Sequence, residues 1–204
     1  MECPVCTCLS PAFPCPSCQK ELEGYAFGSL WRERCPVCGS PVLSLAYPCR
    51  FCETRYQAYG PHQGLLRELM VRYKAGGERN LSRLFASLLV PLVPSEAGTY
   101  LVPVPASKEG IRRRGFDQGL LLARSMHMPV ARLLTRTSQG IQKRQDRTGR
   151  ARVAFLAEER NIPSLRRIVV VDDVITTGST MRASLSALEG RYPVPVTGLA
   201  VCLA

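Results

Sequence analysis

Two adjacent carboxylates, Asp172 and Asp173, stand at the end of a β-branched run and just ahead of Thr176, Thr177, Gly178, Ser179 and Thr180. Carboxylates accept hydrogen bonds from sugar hydroxyls or help hold a divalent cation. A turn of small hydroxyl residues around a glycine exposes backbone N–H groups, and at a helix N-terminus such a turn suits a phosphate. Together these residues describe a place for a phosphorylated ribose. The elements that must position them are legible on either side. Ile168 to Val171 reads as a buried strand, and Met181 to Leu188 has helical spacing. The plainer account is a strand-to-helix turn with a capped helix. Each part alone is common, but the whole string is not.

A second chemistry lies at the other end of the chain. Ten cysteines are present and nine precede residue 53. Cys3/Cys6, Cys15/Cys18, Cys35/Cys38 and Cys49/Cys52 are four C-x2-C pairs, the spacing at which two thiolates of one tight turn face a tetrahedral ion. Four pairs supply eight ligands, enough for two four-cysteine zinc sites that leave no open position for catalysis. A redox C-x2-C would come once, in a βαβ setting. A secreted disulfide framework is the other rival; the strict pairing and the lack of a basic-then-apolar leader argue against it. Sequential pairing closes shorter loops than interleaved pairing, so it costs less entropy. It groups Cys3, Cys6, Cys15 and Cys18 in one site and Cys35, Cys38, Cys49 and Cys52 in the other. Cys8 has no partner at this spacing and reads as a free thiol. The module, residues 1–58, has little else from which to build a core and should fold only with metal.

The chain has 204 residues and a net charge of +11, 46% of its residues being hydrophobic. That length allows one medium domain, residues 59–204, behind the small module. Residues 1–58 carry five basic and five acidic side chains, so the whole excess lies in 59–204. A basic surface favours nucleic acid or phosphorylated ligands. With two filled zinc sites the module would be acidic and would dock on the basic domain. No apolar run is long enough to span a membrane, and the expected location is cytoplasmic.

Between the two chemistries the chain reads as strands and helices in alternation. Leu65–Tyr73 and Leu81–Leu89 have helical spacing. Arg67, Arg72, Lys74 and Arg79, on or near them, read as a solvated face. Tyr100 to Pro105 is an apolar strand stopped by prolines, which remove ladder donors. The loop Ala106–Gly110 should follow, carrying Ser107 and Lys108, with Arg112, Arg113 and Arg114 behind it. This composition suits a pyrophosphate or a nucleic-acid backbone. A helix from about Gly119 to Met126 and weak strands near Val130–Leu134 and Ala154–Leu156 come next. Residues 135–149 are polar and aperiodic, and Lys143, Arg144, Arg147 and Arg150 make this stretch and its flank a basic loop. It could close over pyrophosphate or grip single-stranded DNA. The last strand is Val194–Leu203. Strands alternating with helices predict an α/β fold with a mostly parallel sheet.

The string from Ile168 to Thr180 resembles the phosphoribosyl-pyrophosphate (PRPP) motif of type I phosphoribosyltransferases. The resemblance implies that Asp172 and Asp173 face the ribose hydroxyls and that Thr176–Thr180 cradle the 5′-phosphate. Val102-Pro-Val-Pro105, then Arg114-Gly-Phe-Asp-Gln118, then this string is similar to the ComF/ComFC family of competence proteins, whose longer members carry leading C-x2-C pairs. The similarity covers nearly the whole chain. The family's Asn is Asp117 here, and the last residue of a family Arg-x-x-Asn is Arg150. The first change keeps an acceptor but loses an amide donor.

The resemblance implies a type I phosphoribosyltransferase fold behind a zinc finger. It also implies a role in natural transformation, with single-stranded DNA and a competence helicase or translocase as partners. PRPP and Mg2+ would bind with the pyrophosphate near Ser107, Lys108 and Arg114. Two functions follow. The chain is either a DNA-binding competence protein that holds PRPP, or an active transferase moving ribose 5-phosphate to an acceptor no residue identifies. Phe116 alone offers an aromatic platform within the basic stretches, so DNA contact would be led by phosphates.

Overall fold

The computed structural model describes residues 1–27, 33–34, 41–42, 51, 54–137 and 154–204. In chain order these form α1 (Pro16–Tyr25), β1 (Glu33–Arg34), β2 (Pro41–Val42), β3 (Tyr56–Pro61), α2 (Gly64–Lys74) and α3 (Leu81–Leu89). There follow β4 (Thr99–Pro103), α4 (Lys108–Arg114), α5 (Gln118–Ser125), β5 (Leu134–Thr137), β6 (Ala154–Ala157), β7 (Arg167–Ile175), α6 (Ser179–Glu189) and β8 (Val196–Leu203). The main sheet has the order β3-β8-β7-β4, with every pair parallel. β1 with β2, and β5 with β6, form two separate antiparallel pairs.

β7 is central because its residues can be buried on both faces, as parallel strands require. Ile168, Val169, Val170 and Val171 are all buried. Side chains alternate across a strand. Ile168 and Val170 therefore pack with Met181, Leu185 and Leu188 of α6, while Val169 and Val171 pack with Leu66 of α2, Phe85 of α3 and Leu122 of α5. The sheet is thus covered on both faces. The same alternation continues into Asp172 and Asp173 and decides which cover each carboxylate meets.

The sheet begins earlier than expected. The boundary between residues 58 and 59 falls inside β3, where Tyr56 to Pro61 pair with Gly198 to Leu203 of β8. Tyr-Gln-Ala-Tyr-Gly-Pro has no β-branched run and reads as a linker. Pairing along an edge imposes the extended shape instead. The N-terminal segment also shares the main core. Leu22 of α1 is fully buried among Tyr59, Leu66 and Tyr73, and its carbonyl accepts from Tyr59 Oη at 3.0 Å. Tyr25 Oη accepts from the Leu65 N–H at 3.2 Å.

The expected solvated face of α2 is in use. Arg72 donates to the carboxylate of Glu78 through Nε (2.8 Å) and Nη2 (2.7 Å). It also donates to the carbonyls of Pro4 and Val5 at 2.9 and 3.3 Å. Arg79 lies over the Phe116 ring at 5.1 Å, and Arg83 over Phe13 at 5.2 Å. Docking of the cysteine-rich segment therefore runs through arginines on carbonyls and rings.

Candidate phosphoribosyl site and thiol cluster

β4 and β7 are adjacent and parallel, with Pro103 opposite Val171. Their carboxyl ends therefore lie at the same sheet edge, where ligands of open α/β sheets bind. The segments after both strands leave that edge side by side. After β7 the chain turns through Thr176–Gly178 into α6 and leaves a shallow cavity lined by Asp172, Val174, Thr176, Gly178, Ser179 and Thr180. Gly178 is the residue before the helix and has φ 72°. A Cβ there would strike the Tyr56 hydroxyl and come within 2.8 Å of Arg182 Nη1. Glycine is therefore needed twice, for its backbone and for the close approach of Tyr56. Thr177 Oγ1 and Ser179 Oγ share a hydrogen bond at 3.0 Å, and Arg182 Nη2 donates to the Thr177 carbonyl at 3.0 Å. The first N–H groups of α6 have no helical partner and point out of the N-terminus. These features suit an anionic oxygen.

The two aspartates part company. Asp172 is half-buried in the cavity wall, and its Oδ1 accepts from the Asp173 N–H at 2.9 Å. Burial pushes its carboxyl up to about 8, and the Asp173 charge adds to this. The bond from the Asp173 N–H, Lys74 and Arg136 act in the opposite direction. Asp173 points to the other face, where it is only 3% exposed. Its Oδ1 lies 2.8 Å from Lys74 Nζ and accepts from the Val174 N–H at 2.6 Å, while Oδ2 is buried with no hydrogen-bond partner. One carboxylate thus lines the cavity, and the other is held by the last residue of α2.

On the β4 side, Ser107 and Lys108 do not sit in a loop. Ser107 caps α4, its Oγ accepting from the Gly110 N–H at 3.0 Å, and Lys108 is the first helical residue. An N-cap serine begins a helix even where glycine follows soon after. Gly110 is pressed between Ser107 Oγ and the Arg114 guanidinium, so the structure brings Ser107 and Arg114 together. Phe116 pins the next turn by packing against Tyr73, ring centroids 5.5 Å apart. Asp117 Oδ1 accepts from the Leu120 N–H at 3.1 Å and caps α5. The acceptor that Asp retains from Asn is the atom used. Lys143, Arg144, Arg147 and Arg150 lie outside the described residues, in the segment joining β5 to β6. Arg136 on β5 is near enough to act on Asp172.

At the N-terminus the Sγ atoms of Cys3, Cys6, Cys8 and Cys15 all lie within 4.8 Å of one another. Cys6 Sγ is 3.3 Å from Cys8 Sγ and 3.7 Å from Cys15 Sγ. Four sulfurs about 2.3 Å from a tetrahedral zinc stand about 3.8 Å apart. The cluster therefore fits a thiophilic metal ion. Cys8, expected to be a free thiol, is one of the four. Cys18 is buried beside Cys3 and Cys15. The chain brings Cys8 in by a tight turn: the Cys3 N–H donates to the Cys8 carbonyl at 2.8 Å, and Thr7 takes φ 63°. Cys35, Cys38, Cys49 and Cys52 lie outside the described residues. Tyr56, Lys74 and Cys8 take their places through partners that are distant in the chain or outside the C-x2-C spacing.

The parallel sheet and its helical covers have the arrangement of the type I phosphoribosyltransferase fold, and residues 110–204 match the family model described as the phosphoribosyl transferase domain. Over most of its length the chain is a homologue of curated competence proteins. It is 26% identical to "Competence protein ComFC" of Bacillus subtilis over 85% of this chain and 77% of that protein. It is 28% identical to "Competence protein F" of Haemophilus influenzae over 91% of this chain and 89% of that protein. Among solved structures, adenine phosphoribosyltransferase from Leishmania donovani is 14% identical, with a TM-score of 0.40, covering 65% of this chain and 68% of that one. No helix among the described residues is long and apolar enough to cross a membrane.

Proposed function

We propose that this chain is a competence protein that binds PRPP, or a closely related phosphoribosyl ligand, at the turn between β7 and α6, and that it handles single-stranded DNA on the cytoplasmic side of the membrane. The observation that carries the ligand is the cavity in which Asp172 faces the Thr176–Thr180 turn. The turn and the N-terminus of α6 receive the 5′-phosphate, and Asp172 receives a ribose hydroxyl. Asp173 acts from behind, held by Lys74. Ser107, Lys108 and Arg114 take the pyrophosphate end. Mg2+ would be held by Asp172 together with the ligand's own oxygens, and it supplies neutralisation of the pyrophosphate charge. The N-terminal thiols hold structural zinc, with a second zinc on Cys35, Cys38, Cys49 and Cys52.

The basic segment with Lys143, Arg144, Arg147 and Arg150 contacts DNA phosphates. Each phosphate contact to a single strand contributes about −0.7 to the slope of log affinity against log salt. Neutralising Lys143, Arg144 and Arg147 should therefore flatten that slope by about 2. An unchanged slope removes the segment from the DNA contact. The second reading is turnover, in which an acceptor displaces pyrophosphate from the anomeric carbon and the protein supplies positioning and charge stabilisation. Calorimetry with PRPP and Mg2+, run beside a pyrophosphate-release assay with and without single-stranded DNA, separates these outcomes. Binding without release supports the binding protein, release above background supports the transferase, and absence of binding refutes the site.

A further inference from the structure

We propose that the N-terminal metal site is a five-thiol site, in which Cys3, Cys6 and Cys15 are constant ligands and Cys8 and Cys18 compete for the fourth position. This rests on the reading that the module binds zinc and concerns which sulfurs hold it.

Cys8 Sγ already stands within 4.8 Å of the sulfurs of Cys3, Cys6 and Cys15, and 3.3 Å from that of Cys6. Cys18 belongs to the inner side. It is buried in one cluster with Cys3 and Cys15. Cys8 belongs to the outer side and is exposed. Cys3 and Cys15 are thus common to both groups, one completed by an exposed thiol and the other by a buried one.

The backbone holds Cys8 in place. The Cys3 N–H to Cys8 carbonyl bond and the Thr7 N–H to Cys3 carbonyl bond (2.8 and 2.9 Å) close a turn of six residues. Thr7 takes the left-handed conformation to do so, which a β-branched residue rarely accepts. Such a conformation persists only where its surroundings impose it. Zinc takes four ligands in a structural site, so a fifth thiol gives the site a spare. Loss of one competing thiol, by oxidation or alkylation, leaves four sulfurs on the ion.

The test uses the full chain loaded with Co2+, whose thiolate-to-metal absorption reports the sulfur ligands, beside Zn2+ content by elemental analysis. Cys8→Ser and Cys18→Ser should each keep the wild-type metal content and absorption. The double variant should lose one thiolate's share of the absorption and bind the ion at least tenfold more weakly. Cys3→Ser, which no spare thiol replaces, should by itself lose one thiolate's share of the absorption and bind the ion at least tenfold more weakly. A drop in absorption for either single variant, or a double variant indistinguishable from wild type, overturns the proposal. Wild-type protein that takes up neither ion overturns the zinc reading together with it.

Discussion

Replacing Lys74 by methionine isolates the pair beneath the cradle. Methionine keeps an apolar stem on α2 and removes the charge. Lys74 Nζ is 2.8 Å from Asp173 Oδ1, and the aspartate side chain is only 5% exposed. At an effective dielectric constant of about 20 the attraction at this distance is about 6 kcal/mol, before the cost of dehydrating both ions. Removing one member of a buried pair costs about 3–5 kcal/mol, because the other is left buried and uncompensated. Lys74 is itself 34% exposed. Solvent screening lowers the expected loss to about 2–3 kcal/mol. Asp173 Oδ2 has no other donor to turn to. The assay is urea unfolding of wild type, Lys74→Met, Asp173→Asn and the double variant at pH 7. The double variant should be little worse than Asp173→Asn alone, with a coupling of about 2 kcal/mol. A Lys74→Met protein within about 0.5 kcal/mol of wild type, or strictly additive losses, would refute this account.

Asp172 sets a pH dependence of known sign. Its folded-state carboxyl is raised from 3.8 to about 8, so the protonated form favours the fold. That stability is present below about pH 4 and is lost as pH rises towards 8. Asp172→Asn should flatten this decline and be more stable than wild type at pH 8.5 in urea titrations; equal slopes would sink the assignment. The same variant should weaken PRPP binding in calorimetry. Gly178→Ala should cost about 1–2 kcal/mol for a left-handed φ and weaken PRPP more than tenfold; unchanged affinity would place the phosphate elsewhere. Arg72→Met removes the donors to Pro4 and Val5, and limited proteolysis should then cleave residues 1–27 faster. Wild-type resistance would mean that the docking does not depend on Arg72.

The helices can be read directly where burial is one-sided. Leu81–Leu89 follows from its spacing and is found with those bounds. β7 is legible because four β-branched residues in sequence suit a strand buried on both faces. β3 is not legible, because an edge strand made of Tyr, Gln, Ala and Gly takes its shape from pairing with β8. α4 escapes a periodicity reading because a cap, rather than apolar spacing, starts it.

For the site, local chemistry is visible in the sequence and direction is not. Adjacent acids, a small-residue turn and paired cysteines are statements about composition and spacing, and these the chain carries by itself. Whether two neighbouring carboxylates share a ligand depends on the pleat, which sends Asp172 to α6 and Asp173 to α2. Whether Lys74 is solvated depends on a partner about a hundred residues away, brought close only when α2 covers the sheet. Whether Cys8 is free depends on a turn that folds it onto Cys3. The adjacent acids and the small-residue turn proposed as the cradle were therefore determined by the sequence. The opposite placement of the two aspartates, and which sulfurs cluster at the N-terminus, were decided by tertiary structure, because strand alternation and long-range packing choose each side chain's neighbours.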